Sequence, residues 1–445
     1  MSKHIKKALK VAVVVFAGYA FATLGNFAKA FSTAKAVFAT TLIGSLTSKG
    51  IEAVNANFGT KFTTRTPTAP RQIVYGQTRV GGILAHIETT GTDNVILHQV
   101  IVIAGHEIDS LVKVKFGDTD LTLDSGTTIS GSTVFKATNT KYKNTENENK
   151  IDGNGTLVQL TFENGSQTTA NGFLRSQLSS ITADHKFKDC AYVYIKMVHD
   201  AEKFAGGIPA ISFEVKGKKI YDPRSGETAF TDSTGEQIGS NPALCIRDYL
   251  SNTVYGLKAT SSELNDTTNA GGFNSAATTC EQQVNDIDGS AQNRYTANGF
   301  TNFSASGEGI LEGLLTSMAG RLTYVNGKFN VFAGATQTPS LTITDDDLLS
   351  DISVATNPNS GDLYNTVKPV YTDASTNYTA ADAPVFQSST FLNADTPSGE
   401  STANYVKQLE IRMPFTTNPS TAQRIARIKL NEQRQTQTLE ALVSL

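Results

Sequence analysis

The chain has no tryptophan, three cysteines, four methionines and six histidines in 445 residues. Cys190, Cys245 and Cys280 are too few and too widely spaced for a disulfide framework. No two of them sit at metal-ligand spacing, so they read as buried free thiols. His4, His86, His98, His106, His185 and His199 show no ligand spacing either. Gly (36) and Pro (12) are not in excess, which excludes collagen-like and linker-dominated chains. Charge is sparse, at 18% of residues and a net −3. A dedicated nucleic-acid binder would carry a large basic excess to neutralise phosphates. Aromatic residues do not interleave with basic ones, so no single-strand stacking platform is expected. Neither a Gly-x-Ser-x-Gly elbow nor a Walker loop occurs.

A hydrophobic fraction of 39% is enough to build cores, and the length suggests about three domains. Charge is uneven. Residues 1–65 hold Lys3, Lys6, Lys7, Lys10, Lys29, Lys35, Lys49, Lys61 and Arg65 against one acid, Glu52. Two uncharged, apolar runs, Val11–Leu24 and Ala36–Leu46, lie in the same segment. Three readings stand side by side. A signal peptide would use the four leading lysines as its basic region and Ala20 and Ala22 near the cleavage site. A membrane helix would need about 20 apolar residues, more than either run supplies. Helices buried against protein would use Gly18, Ala22 and Gly25 for close approach, with Lys3, Lys6, Lys7 and Lys10 on one basic face.

From Thr60 onward the texture is β-rich, with abundant Thr. Thr63–Pro70 reads as a linker. Strands are expected at Arg71–Val80, with Ile73 and Tyr75 on one face and Val74 on the other, and at Ile83–Thr89 after a Gly81-Gly82 bend. Val95–Ala104 has the pattern of a strand buried on both faces. Leu111–Phe116 alternates as a half-buried strand. Asp124–Gly155 is polar and reads as the exposed loop of a β insertion. Leu157–Phe162, Tyr192–Met197 and Ile211–Val215 are further strands, and Val215–Ile220 reads as a hairpin turning at Gly217. Helices are expected at Pro242–Leu250, capped by Asn241, at Thr278–Val284, at Glu308–Ala319 with Gly320 as its cap, and at Thr421–Gln433. Asn326-Gly327 should turn a hairpin between Leu322–Val325 and Lys328–Phe332. Thr438–Leu445 looks like the start of a strand, as if the chain continued.

Three clusters invite a chemical reading and have a plainer one. His106-Glu107 lacks the second histidine of a zinc helix and reads as a loop histidine. Asp286-Ile287-Asp288-Gly289 resembles a Ca²⁺ loop but fails the ligand pattern, with Val284 and Tyr295 at its first and twelfth positions. Asp345-Asp346-Asp347 after Thr344 reads as a dipole-stabilised helix start. No catalytic, cofactor-binding or metal residue is assigned, and no enzyme activity is expected.

Several stretches, in order, carry a family resemblance. They are Pro70–Gly82 (Pro70-Arg71-Gln72-Ile73-Val74-Tyr75-Gly76), Leu97–Asp109 with Ala104-Gly105-His106-Glu107, and Gly207-Ile208-Pro209 followed by Tyr221-Asp222-Pro223-Arg224. Asn241-Pro242-Ala243-Leu244 with Arg247-Asp248-Tyr249-Leu250 and Tyr255-Gly256-Leu257 comes next. Then follow Met318-Ala319-Gly320-Arg321-Leu322, Leu363-Tyr364-Asn365-Thr366-Val367, and Pro414-Phe415-Thr416-Thr417 with Ala422-Gln423-Arg424. Over residues 70–435 the chain resembles the central tail-hub or tip-attachment proteins of long-tailed phages, the J family of lambda-like tails.

The resemblance implies a structural virion protein at the tail tip, assembled in the host cytoplasm. It would be a homotrimer closing the distal end of the tail tube, in contact with the distal tail protein ring, the tape-measure protein and receptor-binding or fibre proteins. Host attachment and genome ejection would be its roles. Gly81, Gly82 and Gly105 would permit bends, and Asp222 and Arg224 would hold a turn. Residues 1–58 would pack in the trimer's lumen or against the tape measure, with membrane contact as a second possibility. The fold class expected is α+β, β-rich and multidomain, with a few packing helices and an apolar helical N-terminus. The divisions expected are 1–65; 66–225 with a polar β insertion around 117–190; a helical and loop connector over 226–300; and an α+β unit over 301–445. A secreted or surface adhesin shares the signal-like start and Thr-rich strands and is the alternative. A cell-wall hydrolase would need a carboxylate pair in a cleft.

Overall fold

The computed structural model describes residues 69–336, 344, 347–355, 363–434 and 438–442. The 1–65 segment with its expected helices, and Asp345 and Asp346, lie outside the described residues. The described chain is α+β and rich in strands, as its Thr and β-branched content implied.

Strands and helices are numbered along the chain. β1 (Gln72–Tyr75) pairs with β16 (Gly299–Asn302). A four-stranded sheet has the order β2 (Gln77–Val80), β11 (Ile211–Lys216), β5 (Ser110–Phe116), β6 (Thr119–Leu121). A six-stranded sheet has the order β3 (Ile83–Thr90), β4 (Ile96–Ala104), β10 (Ala191–Val198), β9 (Val158–Glu163), β8 (Ser132–Lys136), β7 (Thr127–Ile129). Val193 and Ile195 of β10 join Ile101, Ile103, Val114 and Phe213 in a core shared by the two sheets. Tyr192 and Tyr194, one residue out of phase, pack on the opposite face under Phe173 and Leu174 of α1 (Gly172–Gln177). The period of two along each strand thus feeds two cores. For that reason the run ending in Ala104 is apolar on both sides.

A larger core gathers the remaining elements. Around it stand α2 (Pro242–Ser251), α3 (Phe273–Glu281), α4 (Gly307–Thr316) and the hairpin of β17 (Arg321–Val325) and β18 (Lys328–Phe332). The next sheet is centred on β20 (Thr366–Asp373). It pairs antiparallel with β21 (Thr379–Asp382) and β22 (Phe386–Gln387), and parallel with β23 (Gln408–Met413). Between β22 and β23 lies α5 (Ser389–Asp395), and α6 (Pro419–Gln433) contributes Ile425, Ala426 and Leu430 to the core. Asn241, Ser306 and Asn418 cap α2, α4 and α6 by accepting backbone N–H bonds. Three short ladders complete the list: β12 (Ile220–Tyr221) with β13 (Thr228–Ala229), β14 (Gln283–Asn285) with β15 (Ala291–Asn293), and β19 (Ser353–Ala355) with β24 (Thr438–Glu440).

β1 is the seam of the molecule. Ile73 and Tyr75 enter the large core, while Val74 enters the core between the sheets. The alternation expected for this segment is present, but the strand is not continuous. At Gly76 (φ +64) the chain bends and changes partner from β16 to β11. A Cβ there would lie 2.1 Å from the Ala297 carbonyl oxygen, so only glycine fits.

Other expectations need correction. Val215–Ile220 is not a hairpin: the chain runs on past β2 along β1, with Gly217 N–H donating to Gly76 O (2.7 Å) and Lys218 N–H to Val74 O (2.9 Å). Gly217 is required by that close approach, since a Cβ would meet Val74 O at 2.4 Å. The alternation of Leu111–Phe116 is broken by a bulge that leaves Val112 40% exposed, while Lys115 turns inward to pair with Asp120. Part of the polar Asp124–Gly155 stretch is sheet, as β7 and β8. The helix expected at Thr278–Val284 instead spans Phe273–Glu281, and Gln283 already begins β14. Ala319, not Gly320, takes the left-handed conformation after α4 (φ +47). Gly320 is small because Phe332 O would lie 2.9 Å from its Cβ.

Candidate functional site

Beside β1, where the large core meets the core between the two sheets, charged side chains are gathered from distant parts of the sequence. Asp248, on α2, receives the Tyr75 hydroxyl at 2.8 Å and the Lys218 ammonium at 2.8 and 3.0 Å. Lys218 also donates to the Tyr255 hydroxyl at 2.6 Å and lies over that ring, 5.0 Å from its centroid. Burial, followed by the Asp248 charge, pushes the Tyr75 and Tyr255 hydroxyls well above the usual phenol range. They stay protonated and act as donors. Beside them, His106 accepts from Val74 N–H through Nε2 (2.9 Å) and donates from Nδ1 to Glu107 O (2.7 Å). Those two partners fix its neutral tautomer. Burial pulls its pKa down to about 4. The junction therefore ties together β1, the segment that follows β11, and α2.

A second cluster ties the same helix to α3. Arg224 donates to Asp222 from Nε and Nη2 (3.0 and 2.6 Å) and to Glu281 from Nη1 and Nη2 (2.5 and 2.5 Å). Glu281 also accepts from Asn241, the cap of α2, at 2.9 Å. Arg247 makes a bidentate pair with Asp266 at 2.7 and 2.6 Å. On the far side of the large core, Arg434 pairs with Asp395. Each of these groups has its partner, and together the pairs tie elements distant in sequence to one another.

The residues singled out from sequence take structural places. The Asp222–Arg224 turn is present and extended by Glu281. Asp286 accepts from Asn418 (3.0 Å) and Ser420 at the start of α6, and Asp288 accepts from Ser290 in the turn that follows. Thr344 donates to the Asp347 carboxylate from its N–H (2.8 Å) and hydroxyl (2.9 Å). His98 sits between Thr90 and Tyr194 (2.7 Å each), with its pKa drawn down to about 4 by burial and then by Lys196. The three cysteines are buried free thiols, and burial raises Cys280 to about 12. Among the described residues no group of three or more His, Cys, Asp or Glu is placed to hold a metal. No described helix is long and apolar enough to cross a membrane. No local pattern in the sequence marks Tyr75, Lys218 or Glu281 as partners of Asp248 and Arg224, and the Lys216–Lys219 run by itself reads as a turn.

The outer surface is of a different kind. A cleft of about 380 Å³ opens at the end of the six-stranded sheet, lined by Val95, Leu97, Met197, Phe204 and Ile208. Ile208 is 59% exposed. Further aliphatic side chains stand out at Ile287, Val254, Leu349, Ile352, Val354 and Leu442.

No protein-family model matches the chain, and no curated protein matches it. Among solved structures, the fold is similar to that of a chain in the virion of a native gene transfer agent (GTA) particle. The TM-score is 0.53 at 13% identity, covering 97% of this chain and 85% of that chain. A match to the 43 kDa tail protein of prophage MuSo2 from Shewanella oneidensis has a TM-score of 0.23 at 8% identity, over 83% of this chain and 79% of that one. The first is a likeness of fold along nearly the whole chain.

Proposed function

We propose that this chain is a structural virion protein of a tailed particle, and that it serves as the central hub of the tail tip. The observation that carries the reading is the likeness of fold, over 97% of the chain, to a component of a gene transfer agent virion. The ordered run of tail-hub-like stretches over residues 70–435 supports the finer assignment, as does the interior. Ion pairs with satisfied partners hold β1, α2 and α3 together, which suits a part that transmits position rather than one that performs chemistry. In this reading the protein is not an enzyme. It acts through subunit interfaces: a homotrimer closing the distal end of the tube, bearing on the distal tail ring, the tape-measure protein and the receptor-binding parts. A closed cyclic arrangement is the expected symmetry. The exposed aliphatic residues and the cleft at Ile208 belong to those contacts.

The test is to purify intact particles and probe them for the chain. Co-purification at a fixed low copy number, a multiple of three, supports the hub. A chain recovered in the culture medium, free of particles and trimmed near Ala22, supports the adhesin instead.

A further inference from the structure

The four-stranded and six-stranded sheets have four edges, and three of them are short. β2, β6 and β7 run for 4, 3 and 3 residues. β3 runs for 8, pairs with β4 on one side, and among the described residues has no strand on the other. An edge strand leaves alternate N–H and C=O groups without a ladder partner. Folded proteins protect such edges with lysine, proline, a bulge or brevity. β3 contains no Lys, Arg or Pro. It does carry a bulge at Ala85, which the register skips between Leu84 and His86. Beyond the bulge, His86–Thr90 pairs with β4 in unbroken register. Its one charged carboxylate, Glu88, is already engaged by His86 and Ser180.

The same strand ends at the cleft of about 380 Å³. Thr89 lines it, together with Asp93, Asn94 and Val95 from the turn into β4. Thr89 stands opposite Leu97, and Leu97 opposite Met197, so one rung of the sheet supplies three of the lining residues. Phe204 and Ile208 come in from the segment between β10 and β11. The lining holds one carboxylate, Asp93, one histidine, His199, and no Lys or Arg. Asp93 is exposed and, among the described residues, takes part in no ion pair. A strand added to an edge takes its affinity from main-chain hydrogen bonds and its specificity from pockets that receive alternate side chains. Both features are present and adjoin at Thr89. The apolar lining calls for an aliphatic side chain, and the free carboxylate for a cation beside it.

We propose that the outer edge of His86–Thr90 receives an extended segment of another protein as an added strand. An aliphatic side chain of that segment fills the cleft at Leu97, Met197 and Ile208, and a lysine or arginine of the segment pairs with Asp93. The site rests on the fold alone. That its occupant is another component of the particle rests on the tail-protein reading.

Hydrogen exchange of the purified full chain, read by mass spectrometry, tests the site. The probe is a short peptide of alternating valine and lysine. Two controls have the same length: one alternates valine and glutamate, and one is the valine–lysine peptide N-methylated at every residue. The probe at saturation should slow amide exchange in β3 about tenfold, and the N-methylated peptide should not. Asp93→Asn should weaken binding roughly threefold and Ile208→Asp about tenfold, both with an unchanged circular dichroism spectrum. No slowing by the probe, or equal slowing by the N-methylated peptide, overturns strand addition. Equal binding of the valine–glutamate peptide, or binding unaltered in both variants, overturns the occupant assigned to the cleft. A chain that sediments alone as an oligomer, and is dissociated by Ile208→Asp, has a second copy on this edge, which overturns the separate partner. None of these readouts depends on the virion reading. Particles test the partner: Asp93→Arg with Ile208→Arg should lower incorporation about tenfold. Normal incorporation of this variant overturns a particle component as the occupant.

Discussion

At the scale of single residues, the molecule is held by charges and tautomers that each have one arrangement. His98 and His106 are buried and neutral, with pKa values near 4 against about 6.5 in an unfolded chain. Between those values the unfolded state binds protons that the folded state does not, so the histidine contribution to stability falls as pH drops from about 6.5 to 4 and levels off below. Each histidine contributes roughly 3 kcal/mol to that loss. Urea unfolding measured from pH 7 to 4 should show the decline, and His106→Gln should reduce its slope by about one proton. An unchanged slope would place the titrating group elsewhere. Asp248→Asn should cost about 3 kcal/mol, because it leaves Lys218 charged and partly buried with no counter-ion. Replacing Lys218 as well, by Met, should recover part of the loss, read from the same urea midpoints.

At the scale of elements, Gly76 decides where one strand becomes two. Gly76→Ala places a Cβ against Ala297 O and a positive φ on a residue that resists it. A loss of about 3 kcal/mol or more is expected. Gly131 has a similar φ (+79) but open space around it, so Gly131→Ala should cost only about 1 kcal/mol. Comparing the two thermal midpoints separates backbone strain from collision. Much of this level was legible in the sequence. Asn241-Pro242 announces a capped helix, Asn326-Gly327 a hairpin, and the 3.6-residue spacing of Ile310, Leu311, Leu314 and Leu315 a buried helical face. What failed depended on neighbours remote in sequence. Gly217 looks like a turn residue, yet it is small because β1 passes over it. Val112 fits a period of two until the partner strand forces a bulge. Asp222, two residues from Arg224, is in view, but Glu281 is 57 residues from Arg224 and Lys218 is 30 from Asp248, and no local pattern brings those together.

At the scale of the whole molecule, the shared seam at β1 makes the two sheets and the helical core one mechanical unit. Exposed aliphatic side chains and the cleft at Ile208 are left on its outside. If the Ile208 cleft is a contact within the particle, Ile208→Asp should leave the isolated chain folded, by circular dichroism, and lower its recovery in particles several-fold. Equal recovery would remove that face from the interface. The most direct test of the central claim is electron microscopy of intact particles labelled with an antibody raised against residues 69–434. A tail-tip hub predicts label at one end of the tail in most particles. Purified, infectious particles that carry no label and no copy of the chain would contradict it.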